Sequence, residues 1–317
     1  MWMQRYFIGP DPMMFEVLPP RLDKPDDWRN TLAYVESVLD AAAVDSIYVP
    51  DLSCPEPGIT RHPRSDALAF AQAVKTEYGG QPTVSKQVHK IAEDEVLCWA
   101  GTALDAGVMR AIFVGGQESP DQYTGCTVEH AMEAVHNEFG SAIQLGGVSL
   151  PNRKRSRDSE RIRAKAPYAG FFVTQVLYET GTMEQVIDEL GEPGQKVVIY
   201  ISVAPLKDAN DIGFIKGKLR GYIPGGLEHE LNHGEMEEKS MRRAGEVIAG
   251  LRSYAAEKKV RLGVNVEYLR TRNRWLAIEL ARRLRPRAHR PAGRQEFIKP
   301  VLSNTCNNTY HPGLLVE

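Results

Sequence analysis

Short apolar runs alternate with segments of helical periodicity along most of the chain. Met13–Leu18 opens the series as a strand. Pro19-Pro20 ends it, because proline has no amide hydrogen to give to a ladder. Pro25-Asp26-Asp27 then starts a helix with Trp28, Leu32, Val35 and Leu39 on one face. Ser46–Val49 is the second strand, and Ser65 is placed to cap a helix carrying Leu68, Phe70 and Val74. Thr83–His89 is the third, with a helix from Asp94 to Asp105 behind it. Arg110–Val114 is the fourth and breaks at Gly115-Gly116; Thr127 caps the helix that follows. Ile143–Leu150, Phe171–Tyr178, Val197–Ala204 and Arg261–Tyr268 complete the strands. Helices are predicted over 158–165, 208–219, 237–258 and 273–284. Another begins at the capping-box pattern Thr182-Met183-Glu184-Gln185 and runs to Leu190.

Near-continuous apolar strands separated by helices predict a parallel sheet covered on its outer face. Eight such units predict closure into a (β/α)8 TIM barrel over residues 1–285. An open doubly wound sheet is the alternative, but no G-x-G-x-x-G follows any strand. From Pro286 the periodicity vanishes, so 286–317 reads as an irregular tail rich in Arg, Pro, Asn and His.

Composition narrows this picture only slightly. The chain has 317 residues, enough for a barrel of roughly 250. A net charge of −2 gives no global attraction to nucleic acid or an anionic membrane, and neither is expected as a partner. No apolar run is long enough to span a bilayer, and the first residues lack the layout of a signal peptide. Cys54, Cys98, Cys126 and Cys306 show no C-x-x-C spacing, which predicts reduced thiols, a cytoplasmic protein and no zinc cluster. Oligomeric state leaves no mark in the pattern.

Catalytic groups of such a barrel gather at the C-terminal ends of its strands. Those ends offer Glu16, Asp51, Gln87, His89, Gln117, Asn152, Thr174, Gln175, Lys207, Asp208, Asn265 and Glu267. Glu16 is a carboxylate in an apolar strand, which is costly unless it is paired or used. Asn152-Arg153-Lys154-Arg155-Ser156-Arg157 is either a solvated charge run or a site for phosphate or carboxylate. Thr174 and Gln175 are either inward polar residues with backbone partners or ligand contacts. No serine or cysteine nucleophile stands beside a base. His229-Glu230-Leu231-Asn232-His233 matches H-E-x-x-H, but Gly225-Gly226 and Gly234 confine it to a short helix, and it is read as coincidental. No metal is therefore expected. The set suits acid–base or hydride chemistry on a flat polar heterocycle.

Three stretches together resemble the methylenetetrahydrofolate reductase family. Phe15-Glu16-Val17-Leu18-Pro19-Pro20 is similar to the family's opening F-E-F-F-P-P. Thr174-Gln175 matches the T-Q pair of its sixth strand, and Val203-Ala204-Pro205-Leu206 the end of its seventh. The resemblance implies reduction of 5,10-methylenetetrahydrofolate to 5-methyltetrahydrofolate, with Glu16 as general acid and Gln175 binding the pterin edge. Thr174, Gln117, Gln87, Asn265 and Glu267 are further candidate substrate contacts; a core role for Glu267 stays open. Phe172 and Tyr178 are stacking or packing neighbours.

The departures lie on the flavin side. Gly115-Gly116-Gln117 stands where flavin-dependent members carry R-G-D. Gln87 replaces the strand-three histidine, and Val49-Pro50-Asp51-Leu52 replaces the strand-two motif. A flavin-independent branch shows this kind of loss and also carries a Glu in its last strand. The implied hydride donor is NADH or NADPH, met by Asn152, Arg153 and Arg155, with FAD the alternative the family as a whole suggests. The rival class is a folate-binding one-carbon transferase barrel without reductase activity.

Overall fold

The computed structural model describes residues 11–52, 62–116, 123–152, 157–231 and 234–285. Eight strands form one closed parallel barrel in sequence order, β1 to β8, with β8 pairing back onto β1. They are β1 Met13–Glu16, β2 Ser46–Val49, β3 Thr83–Gln87, β4 Arg110–Val114, β5 Gln144–Ser149, β6 Ala169–Thr174, β7 Val198–Val203 and β8 Arg261–Val266. Helices α1 Asp27–Ala41, α2 Ala67–Tyr78, α3 Glu93–Asp105, α4 Val128–Phe139 and α5 Asp158–Lys165 follow β1 to β5 in turn. After β6 come α6 Gly181–Leu190 and a short α7 Glu192–Lys196. After β7 come α8 Ala209–Gly217, α9 Gly225–Leu231 and α10 Met236–Glu257. Helix α11 Arg274–Leu284 follows β8. The chain is a TIM barrel, as the alternation of apolar runs predicts.

The period of two along each strand sorts residues to two faces. Phe15, Ile47, Val84, Phe113, Phe172, Ile199 and Val264 face the helices and form the main core with them. Met14, Tyr48, Ile112, Phe171, Val173 and Tyr200 fill the barrel interior as a separate cluster. Gly146 on β5 is required by the second layer. A Cβ there would lie 2.4 Å from the Phe171 ring. Gly146→Ala is therefore expected to cost about 1–3 kcal/mol through overpacking, read as a lower urea midpoint. No loss would show that the Phe171 ring can move aside.

Three local expectations change. The sixth strand ends at Thr174 instead of reaching Tyr178. Val176 and Tyr178 leave the barrel wall to join a smaller apolar cluster with Leu206, Ile212, Ile223 and Leu227, so tertiary packing overrides their β pattern. Helix α2 is capped by Asp66, whose carboxylate accepts from the Ala69 amide at 2.8 Å, and not by Ser65. Helix α6 begins at Gly181, so Thr182 is no cap; its hydroxyl donates to Asn152 Oδ1 at 2.8 Å. Thr127 does cap α4, accepting from the His130 amide.

Among the described residues no helix is long and apolar enough to cross a membrane. The irregular tail expected over 286–317 lies outside the described residues.

Candidate functional site

Glu16 ends β1 on the inner face of the barrel, half-buried. Its register partner on β2 is Tyr48. On the other side Phe15 pairs with Val266, so one step further along the same ladder sets Glu16 against Glu267. Neighbouring strands lie about 4.8 Å apart, so the two carboxyl groups are close neighbours. Burial raises the Glu16 carboxyl well above the ordinary carboxylate range, and the negative charge of Glu267 adds to that. Glu267 is itself pushed up by burial, to about 7, against the lowering effect of hydrogen bonds from Ser202 and Asn265. Tyr48, pushed up first by burial and then by Glu16, stays a neutral phenol beside them.

The next strands supply amides. Asn265 is fully buried; its Nδ2 donates to Ser202 Oγ and to Glu267 Oε1, both at 3.0 Å. Its Oδ1 is buried with no donor. Gln175 lies just past β6, half-buried, with its amide donating to the Ser149 carbonyl at 3.0 Å. Its Nε2 donates to the Leu219 carbonyl, which ties the α8–α9 connection down over this side of the mouth. Its Oε1 is likewise buried without a donor. Thr174 is buried and faces the helix side. Its Oγ1 accepts from the Ser202 amide at 2.9 Å, so this hydroxyl extends the β6–β7 junction.

On the β2–β3 side of the mouth, Gln87 and Asp51 bond to each other. The Gln87 amide donates to Asp51 Oδ2 at 3.0 Å, and Gln87 Nε2 donates to the Asp51 carbonyl at 3.1 Å. The Asp51 amide in turn donates to Ser85 Oγ at 2.6 Å. Beyond β4, the Tyr123 hydroxyl bonds both the amide and the carbonyl of Gly116, at 3.0 and 3.2 Å. The Tyr123 ring packs on His89 with centroids 5.5 Å apart. Asn152 is half-buried, and its Nδ2 is a buried donor with no acceptor. Gln117, Arg153 and Arg155 lie outside the described residues.

The barrel thus brings Glu16, Asn265 and Glu267 together, while Gln87 belongs to a separate cluster with Asp51. Phe172 and Tyr178 are packing residues: Phe172 lies in the outer core, and the buried Tyr178 hydroxyl donates to the Ala204 carbonyl at 3.0 Å. Tyr48, Ser85 and Ser202 are parts of the site that the sequence reading passed over. Each shares the inward parity of its strand, which is the signal that finds them. His229, Glu230 and Leu231 of the H-E-x-x-H stretch lie on α9, a seven-residue helix, with His229 and Glu230 exposed. Glu230 is ion-paired with Arg242 at 3.0 Å, and His233 is outside the described residues. Among the described residues no group of three or more His, Cys, Asp or Glu side chains could hold a metal ion.

Fold and site together define a (β/α)8 barrel with a protonatable carboxyl pair and donor-seeking amides at its mouth. No family model and no curated protein matches the chain. Solved structures do. A protein from Clostridium thermocellum that binds two copies of 5-methyl-5,6,7,8-tetrahydrofolic acid is similar with a TM-score of 0.71 at 18% identity, over 86% of this chain and 95% of that one. EDTA monooxygenase from Chelativorans sp. BNC1 is similar with a TM-score of 0.49 at 9% identity, over 86% and 92%. At 18% identity the first of these shows a shared fold.

Proposed function

We propose that the chain binds a reduced folate at the mouth of its barrel and reduces 5,10-methylenetetrahydrofolate to 5-methyltetrahydrofolate. One observation carries the reading. Glu16, a carboxyl kept protonated above the usual range, shares the mouth with two acceptors that lack donors, Asn265 Oδ1 and Gln175 Oε1. A pterin ring presents N–H donors along its edge, and these match acceptors left open. The binding of 5-methyltetrahydrofolic acid by the Clostridium thermocellum barrel supports the ligand class.

Glu16 acts as general acid. Its proton goes to N10, the bond from the bridging methylene to N10 breaks, and the methylene remains on N5 as an iminium cation. A carboxyl that holds its proton near neutral pH can make this transfer; an ordinary surface carboxylate is ionised and cannot. Gln175 and Asn265 hold the pterin by its edge and so fix the face that the methylene carbon presents. NADH or NADPH supplies the hydride that this carbon accepts. Asn152, through its unpaired Nδ2, and the cationic Arg153 and Arg155 are proposed to meet the phosphates of the nucleotide.

Two features of the rim over β2 to β4 support a flavin-free reading. Asp51 and Gln87 bond one another, and Tyr123 occupies the end of β4 so closely that a Cβ on Gly115 would lie 2.6 Å from its hydroxyl. The reading therefore contains no flavin step.

The test is nicotinamide oxidation by the purified protein with methylenetetrahydrofolate, run anaerobically without added flavin while the visible spectrum is recorded. Turnover by a colourless protein is the expected result. Turnover only by a yellow protein, or only with added FAD, would overturn the flavin-free reading. Folate binding without any nicotinamide oxidation would move the chain to the transferase class.

A further inference from the structure

We propose that Glu16 and Glu267 work as one unit, a carboxyl–carboxylate dyad that holds a single proton on Glu16 and keeps Glu267 ionised. The dyad itself follows from the architecture; its use in catalysis rests on the reductase reading above.

Closure of the barrel puts β8 beside β1, and the ladder register sets the two side chains on adjacent strands facing inward. Two carboxylates so placed in a half-buried site cannot both ionise without strong repulsion, and one of them keeps a proton. The surroundings decide which one. Glu267 receives hydrogen bonds from Asn265 Nδ2 and from the Ser202 hydroxyl, and donors of this kind favour an anion. Asn265 is fully buried, and its second contact, to Ser202 Oγ, fixes the amide so that its NH2 group faces Glu267. Among the described residues no hydrogen-bond donor to the Glu16 carboxyl is found, and no cation acts on it; the one charge that does is Glu267. The proton therefore rests on Glu16.

The other titratable groups facing the pair leave this assignment unchanged. Tyr48 on β2 and Tyr178 beyond β6 are both pushed up by burial and stay neutral. In the reaction, Glu16 gives its proton to N10 and the dyad becomes two carboxylates. The cation forming at N5 faces this doubled negative charge, which offsets both. After product leaves, one proton from water restores the dyad, so each turnover takes up one proton. Glu267 is thus a positioning residue: it keeps the proton on Glu16 until substrate arrives.

A carboxyl titration of the full-length, ligand-free protein labelled with 13C-glutamate tests this directly. In the wild type one carboxyl should stay protonated through neutral pH and respond to both steps of the pair. Glu267→Gln should lower the midpoint of Glu16 by more than about one pH unit, the coupling that marks a shared proton. Glu267→Asp, which keeps the charge, should restore most of it. A Glu16 midpoint that ignores both replacements overturns the dyad. The folate assay then separates the two readings. A coupled titration with no turnover keeps the dyad and removes the reductase. Turnover whose alkaline limb stays in place in Glu267→Gln keeps the reductase and removes the dyad.

Discussion

Glu16→Gln is expected to lower turnover by about 100- to 10,000-fold, the range a positioned general acid contributes, while folate still binds. The amide keeps the shape of the side chain but holds no transferable proton. A single-turnover measurement with saturating folate and nicotinamide checks it. Loss of folate binding in place of loss of rate would make Glu16 a binding group, and unchanged turnover would remove it from the chemistry. The same substitution should raise stability, with a defined pH dependence. In the folded protein both carboxyls of the pair are raised, Glu267 to about 7 against an ordinary value of 4.5 and Glu16 in the same direction, and Glu267 is the first of the two to ionise. Between those limits the folded chain binds more protons than the unfolded one, so stability falls as pH rises through the window. Glu16→Gln removes one of the two groups and the repulsion between them. Its melting temperature should thus exceed that of the wild type by more at pH 8 than at pH 4. A wild type more stable at pH 8 than at pH 4.5 for this reason would contradict the raised carboxyls. A variant more stable yet inactive is the usual exchange at a site that holds unfavourable charge for function.

Asp211→Ala is expected to cost about 3 kcal/mol, the largest stability loss foreseen for a residue that touches no substrate. Asp211 is fully buried at the start of α8. Its carboxylate accepts from the Lys207 amide at 2.8 Å, Asn273 Nδ2 at 2.7 Å and Arg272 Nη2 at 2.8 Å. Those donors come from the loop after β7 and the turn after β8, so one carboxylate joins the two rim segments nearest Glu267. Hydrogen bonds to a charged group contribute about 1.5–3 kcal/mol each, and the loss is partial because some donors keep other partners. Arg272 still holds Asp208 through both terminal nitrogens, at 2.6 and 2.7 Å, and Asn273 keeps the Pro205 carbonyl at 3.2 Å. The Lys207 amide loses its carboxylate. A lower urea midpoint with unchanged slope is the expected readout. A loss below about 1 kcal/mol would mean that the Asp208–Arg272 pair holds the rim by itself.

Much of this architecture lies in local pattern. Apolar runs, prolines that stop ladders and helical periodicity predict all eight strands and most helices, because burial of an alternating or 3.6-spaced face is a short-range property of the chain. The sequence also supplies the inward parity of Glu16, of Asn265 with Glu267, and of Tyr200 with Ser202. The errors occur where distant residues compete. Thr182 is a cap by its sequence neighbours, yet its hydroxyl finds Asn152 on another connection. Val176 and Tyr178 read as strand until α8 and α9 offer a second apolar cluster.

What only the tertiary structure decided is the company each polar group keeps. Glu16 stands near the beginning of the barrel and Glu267 near its end. They become neighbours because β8 closes onto β1; the count of eight units predicts that closure, but only the register of the β1–β8 ladder sets these two side chains side by side. The donors that set their charge come from β7 and β8, and the carbonyl that engages Gln175 comes from the α8–α9 connection. Residue types along a chain set which groups can ionise or bond. Whether they do depends on burial and on partners brought from far along the sequence, and those exist only once the barrel has closed.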